Sequence, residues 1–95
     1  MGRILVVDDH DSLRKGLVRA LGNAGHDVEE APNGTVAIER LQDSQFDVVL
    51  TDLRVGGADG MDVLRTARKL QPNAAVILMT AFGSIHTAVE AMKIG

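Results

Sequence analysis

Residues 4–13 read ILVVDDHDSL, and this stretch decides the fold. Four consecutive apolar side chains, Ile4, Leu5, Val6 and Val7, have the length and branched character of a strand buried on both faces. Two carboxylates, Asp8 and Asp9, follow where the chain leaves the core. Like charges so placed repel, and a half-buried carboxylate is costly unless a positive group holds it. The stretch therefore asks for a cation at the end of an interior strand. Beyond it Leu13, Leu17, Leu21 and Ala24 fall at helical spacing, with Asp11 or Ser12 as the cap and Gly25 as the stop. One βα unit is complete.

The same rhythm repeats along the chain with no linker and no low-complexity tract. Residues 27–30 form a weak second strand, Pro32-Asn33-Gly34 a turn, and Val36, Ala37, Ile38 and Leu41 one face of a second helix. Residues 46–51, FDVVLT, are the third strand. A glycine-rich loop, LRVGGADG, leads into a third helix carrying Met61, Leu64, Ala67 and Leu70, which ends at Pro72. Residues 75–80, AVILMT, make a fourth strand. Ser84 caps a last helix in which Ile85, Ala88, Val89 and Met92 share a face. Four βα units in series predict a single α/β domain, a parallel sheet with helices on both faces.

Composition bounds the function. The 95 residues suffice for one domain, and 45% of them are hydrophobic, with Phe46 and Phe82 the only aromatics. Two aromatics do not make a stacking platform for single-stranded nucleic acid. The net charge of −3 is too mild to name a partner. With no cysteine, disulfides and thiolate metal sites are excluded. No apolar run reaches the ~18–20 residues of a membrane span. No signal peptide is visible, and MGRILV has Val6 where a myristoylation signal needs Ser or Thr, so a cytoplasmic location is the expectation.

In doubly wound sheets ligands lie beyond the carboxyl ends of the central strands, where strand order reverses. Asp8 and Asp9 stand there after the first strand, Asp52 after the third and Thr80 after the fourth. If the first and third strands are neighbours, three carboxylates converge beside a hydroxyl. Such an oxygen-rich set suits a hard cation; Mg²⁺ takes one or two carboxylates, keeps waters and shares phosphate oxygens. The acid pair then cradles metal, and Asp52 is left to do chemistry. Acids also favour a helix N-terminus, but that would not bring Asp52 to the same edge.

VVDD, TDLR and LMTA together resemble the receiver domain of bacterial two-component response regulators, over the whole chain. MTAFGSIHTAVEAMKIG is similar to the nitrogen-regulation-type branch, which activates transcription with an alternative sigma factor and an ATPase domain. The resemblance implies a flavodoxin-like strand order 2-1-3-4-5 and a phosphoryl transfer to Asp52 from the phosphohistidine of a sensor histidine kinase. It implies that Asp9 binds Mg²⁺ (or Mn²⁺) directly, Asp8 partly through water, and Arg54 through its backbone carbonyl. Thr80 would bond a phosphoryl oxygen, Ala81 would leave room for it, and Arg54 and Phe82 would flank the pocket. The switched output would lie in the parent protein, with no nucleic acid bound by this domain and no membrane contact.

Two departures from the family pattern stand out. Gly56 replaces the usual proline after the phosphoacceptor, followed by Gly57, which makes that loop more pliable. The family's fifth strand, the lysine after it and the fifth helix are not reached by Gly95, and Lys93 on the last helix is no substitute. Residues 1–95 are thus expected to be a C-terminally incomplete receiver, associating as a homodimer through the fourth strand and last helix. Removing either Asp8 or Asp9 is expected to relieve repulsion in the metal-free fold. His10, His26 and His86 lie in separate elements without ligand spacing and read as solvent-facing, although His86 could take part in partner recognition. A dedicated phosphatase would need a second acid two residues after Asp52, where Arg54 stands. A dinucleotide fold would need GxGxxG where DDHDSL stands. The remaining alternative is a phosphorylation-independent interaction module.

Overall fold

The computed structural model describes residues 2–52 and 60–79. Within them the chain alternates strand and helix: β1 (Arg3–Val7), α1 (Asp11–Asn23), β2 (Asp27–Ala31), α2 (Gly34–Asp43), β3 (Val48–Asp52), α3 (Gly60–Leu70) and β4 (Ala75–Met79). The four strands form one parallel sheet in the order β2-β1-β3-β4. The first and third strands are therefore neighbours, as the converging-carboxylate argument requires. The expected last helix, Thr80, and the loop around Arg54, Gly56 and Gly57 lie outside the described residues.

β1 is central and buried on both faces: Ile4 is 5% exposed, and Leu5, Val6 and Val7 are wholly buried. Because side chains alternate across a strand, Leu5 and Val7 join Val49, Ala37, Leu41, Phe46, Val63 and Ala67 in a core between the sheet and α2 with α3. α1 packs against β1 and β2. β2 at the edge has only Ala31 buried, which explains its weak alternation in the sequence. At the far end of the strands the Arg3 guanidinium lies 5.3 Å from the Phe46 ring centroid and pairs with Asp27 and Glu29.

Local chemistry sets the boundaries. α1 ends in a left-handed Gly25 (φ 96°), with Gly25 N–H donating to the Gly22 carbonyl and His26 N–H to that of Leu21. This is the Schellman arrangement that glycine favours. The N-terminus departs from expectation: His10, rather than Asp11 or Ser12, is the cap residue, and no side chain caps the helix. The inward line of α1 keeps the expected Leu17 and Leu21 but differs at its ends, where Leu13 and Ala24 are exposed. Arg14 is its buried residue, Leu17, Val18 and Leu21 are half-buried, and Leu13 is 53% exposed. Arg14 turns inward because it has three acceptors there. Its Nε donates to Glu30, one terminal nitrogen to the Asp8 carbonyl and the other to Asp11, each at 2.8 Å. The carboxylates beside it, through Glu30 first, hold the guanidinium pKa above its ordinary value against the lowering effect of burial.

Two polar side chains hold the α2 and α3 ends. Asn33 Oδ1 accepts from Val36 N–H at 2.9 Å, capping α2. Gln71, 3% exposed, accepts from Phe46 N–H at 2.7 Å and donates to the carbonyls of Leu41 and Ser44 at 2.9 and 2.6 Å. It fastens the end of α3 to the α2–β3 connection. Phe46 belongs to that connection and to the core, so β3 begins two residues later than the apolar run alone predicts.

Candidate functional site

Register brings the acids together. Val7 pairs with Thr51, so Asp8 and Asp52 are the next residues on adjacent parallel strands, at the carboxyl edge of the sheet. Asp8 N–H still donates to the Ala31 carbonyl at 3.2 Å, which keeps the chain sheet-like one residue beyond β1. The Asp8 side chain is 1% exposed; Asp52 is intermediate and Asp9 exposed. The arrangement follows from the sequence: an all-apolar strand carries Asp8 into the interior, and α1 begins only after His10.

A buried carboxylate needs hydrogen bonds. Asp8 Oδ1 accepts from His10 N–H at 2.8 Å, closing an Asx-type turn, and lies 3.1 Å from His10 Nδ1. Asp9 Oδ1 is also 3.1 Å from His10 Nδ1. A carboxylate oxygen accepts only, so the Nδ1–H of His10 is the donor to Asp8, while Asp9 acts on the ring by its charge. The hydrogen bond to Asp8, then the charges of Asp9 and Asp8, and lastly Asp52 raise the His10 pKa above 6.5. Arg14 supplies a fixed positive charge near the loop through its bond to the Asp8 carbonyl.

Among the described residues, Asp8, His10 and Asp52 form a group that could hold a metal ion, each offering one ligand atom with all such atoms within 4.8 Å of one another. The two carboxylates of this group, one buried and one half-buried on neighbouring strand ends, suit the hard cation expected from the sequence. Asp9 stands beside this group, joined to it through His10. The reading of His10 as a solvent-facing bystander needs correction: its ring is 62% exposed, yet its Nδ1 lies between the two acids. Sequence spacing did contain the signal, because a residue two after Asp8 is within reach of an Asx turn. His26 is half-buried and accepts from Gly2 N–H at 3.3 Å, away from the acids. Arg54, Thr80, Ala81, Phe82, His86 and Lys93 lie outside the described residues. A cavity of about 290 Å³ opens at the opposite end of the strands, lined among others by Arg3, Phe46 and Gln71, and shares no residue with the acidic edge. No helix of the described residues is long and apolar enough to cross a membrane.

Comparison with known proteins agrees with the geometry. The model of the response regulator receiver domain matches residues 4–95. The chain is 40% identical over its whole length to regulatory protein AtoC of Escherichia coli strain K12, of which it covers 21%. It is 41% identical, over 97% of its length, to transcriptional regulatory protein ZraR of Klebsiella oxytoca, again 21% of that protein. The chain thus spans about a fifth of these regulators. A solved response regulator from Burkholderia pseudomallei, crystallised with a phosphorylated aspartic acid, calcium ion and citrate, superposes with a TM-score of 0.93 at 32% identity, over all of this chain and 56% of that one. A parallel β2-β1-β3-β4 sheet, acids gathered at its carboxyl edge and a family match over nearly every residue lead to one conclusion: the chain belongs to the response regulator receiver domain family, and its relatives include transcriptional regulatory proteins.

Proposed function

We propose that this chain is the phosphoacceptor domain of a two-component regulator, with Asp52 as the phosphoacceptor. The observation that carries the reading is the placement of Asp52 one residue beyond the register that pairs β1 with β3, opposite the buried Asp8. A carboxylate oxygen of Asp52 attacks the phosphorus of a phosphohistidine on the sensor kinase. A P–O bond forms, the P–N bond breaks, and the imidazole leaves with the electron pair and takes up a proton. Residues 1–95 act as one receiver unit, a signalling domain whose catalysis is limited to its own phosphorylation and slow dephosphorylation.

Asp8, Asp9, Asp52 and the Arg54 carbonyl are the proposed ligands of Mg²⁺ (or Mn²⁺). When bound, such an ion neutralises phosphoryl oxygens that would otherwise repel the carboxylate and helps hold them in line. Asp8 keeps the β1–α1 loop closed by accepting from His10 N–H. Arg14 fixes the same loop from below through the Asp8 carbonyl. Thr80 and Ala81 receive the new phosphoryl oxygen, and Arg54 and Phe82 flank it. The likeness to AtoC and ZraR supports a parent protein that regulates transcription through an output domain. The calcium ion and phosphorylated aspartate of the Burkholderia protein support a divalent site beside the acceptor.

Asp52→Asn is expected to abolish incorporation of label from a phosphorylated kinase or a small phosphodonor in the presence of Mg²⁺. Equal labelling of wild type and variant would refute the assignment. Failure of the wild-type protein to respond to millimolar Mg²⁺, phosphodonor and beryllofluoride would favour the phosphorylation-independent interaction module instead.

A further inference from the structure

We propose that His10 is a nitrogen ligand in the cation site, which shifts the site's selectivity from Mg²⁺ toward borderline first-row ions such as Co²⁺, Ni²⁺ and Zn²⁺. The inference rests on the reading of the acidic edge as a cation site and adds a ligand of different chemistry to it.

The geometry comes first. His10 Nδ1 lies 3.1 Å from Oδ1 of Asp8 and 3.1 Å from Oδ1 of Asp9. Two ligand atoms on adjacent positions of one ion, with bonds of about 2.1 Å, are about 3.0 Å apart in an octahedron and about 3.4 Å apart in a tetrahedron. Each of the two nitrogen–oxygen pairs thus already has the separation of a coordination edge. The ligand atoms of Asp8, His10 and Asp52 all lie within 4.8 Å of one another. Opposite ligands on such an ion are about 4.2 Å apart, so closing the group on one ion takes a movement of less than about 1 Å.

Position and chemistry point the same way. His10 is held at the start of α1 by its backbone: φ is −86° and ψ 104°, its N–H donates to Asp8 Oδ1, and its carbonyl accepts from Arg14 N–H at 2.9 Å. The ring is directed at the acids by that turn, yet it is 62% exposed. Solvent can therefore take the Nδ1 proton when a metal replaces it. Imidazole suits Zn²⁺, Cu²⁺ and Ni²⁺, whereas Mg²⁺ prefers oxygen and gives up water reluctantly. An all-oxygen site would gain from Mg²⁺ to Co²⁺ or Ni²⁺ only the ordinary rise in affinity along the series; a nitrogen on the same ion adds to it.

The test is a pair of isothermal titrations on the full chain, with Mg²⁺ and with Co²⁺ in mildly alkaline buffer, on wild type, His10→Gln, His10→Asn and Asp52→Asn. It is paired with pulsed paramagnetic resonance of the Cu²⁺-loaded proteins, which registers the remote nitrogen of a coordinated imidazole. Outer-shell partners of a metal are already worth about 10- to 100-fold in affinity, so losing a direct nitrogen ligand is expected to lower the Co²⁺ to Mg²⁺ affinity ratio at least about tenfold in both His10 variants. The imidazole modulation should vanish with them. An unchanged ratio and unchanged modulation in folded His10→Gln and His10→Asn would overturn the role of His10 and leave the cation site standing. No divalent binding by the wild type, or binding unaffected by Asp52→Asn, would overturn the cation site and the inference with it.

Discussion

At the scale of single residues, the acidic edge distinguishes two carboxylates that look equivalent in the sequence. Asp8 is buried and accepts a backbone hydrogen bond; Asp9 is exposed and faces His10. Simple relief of repulsion is therefore the wrong expectation for Asp8. Asp8→Ala should destabilise the metal-free fold by about 1 kcal/mol, because the His10 N–H loses its acceptor. Asp9→Ala should change stability by less than about 0.5 kcal/mol while weakening Mg²⁺ binding more than Asp8→Ala does. Thermal melts and calorimetric titration check both halves, and unchanged Mg²⁺ affinity in Asp9→Ala would exclude direct ligation. The pH behaviour of His10 follows from the same contacts. Its hydrogen bond to Asp8 and the charges of Asp9 and Asp8 raise its pKa in the folded state above 6.5. The stability it contributes is then fully present below the unfolded value and is lost as pH rises through the folded one. Proton resonance of the metal-free protein should place the His10 midpoint above 6.5, falling back toward it in Asp8→Asn; a midpoint at or below 6.5 in the wild type would contradict the geometry.

At the scale of elements, the helices were legible where apolar periodicity governs them and less so where polar contacts do. α2 follows its pattern, with Ala37 and Leu41 buried, and its start is fixed by the Asn33 cap within the predicted turn. Asn33→Ala should lower stability by about 1 kcal/mol, and Asn33→Asp should restore most of it; equal melting of wild type and Asn33→Ala would show that the cap bond at Val36 contributes nothing. In α1 the expected Leu17 and Leu21 turn inward, but Arg14 takes the place expected of Leu13, because a hydropathy stripe ranks leucine above arginine. The three acceptors around Arg14, of which the Asp8 carbonyl is buried, outweigh the exposure of Leu13. Gln71 escaped notice for the same reason: its burial makes sense only when the backbone groups of Leu41, Ser44 and Phe46 are seen to converge on it.

At the scale of the whole molecule, β4 pairs with β3 along one side, and among the described residues no strand pairs with its other side. Ile77 on β4 is 49% exposed. Exposed apolar side chains on a strand offer a surface to a second chain, and closed two-fold association is the commonest outcome. We propose that residues 1–95 self-associate through the face of β4 that carries the exposed Ile77. Light scattering over a concentration series should show a mass that rises above the monomer's, and Ile77→Lys should suppress the rise. A monomer throughout, in both proteins, would refute association by this surface.

The sequence alone determined the βα rhythm, the parallel sheet and the position of Asp8 and Asp52 at strand ends, because period and chain order are local properties that burial enforces one element at a time. It also carried the family, through three short motifs whose spacing survives in one dimension. Tertiary structure decided what depends on distances between elements. Register placed Asp8 beside Asp52, the turn after β1 drew His10 between two carboxylates, and the acceptors of β2 and the Asp8 carbonyl pulled Arg14 into the interior. A polar side chain is buried only when its partners meet it in space, and no periodicity of its own helix records where those partners lie.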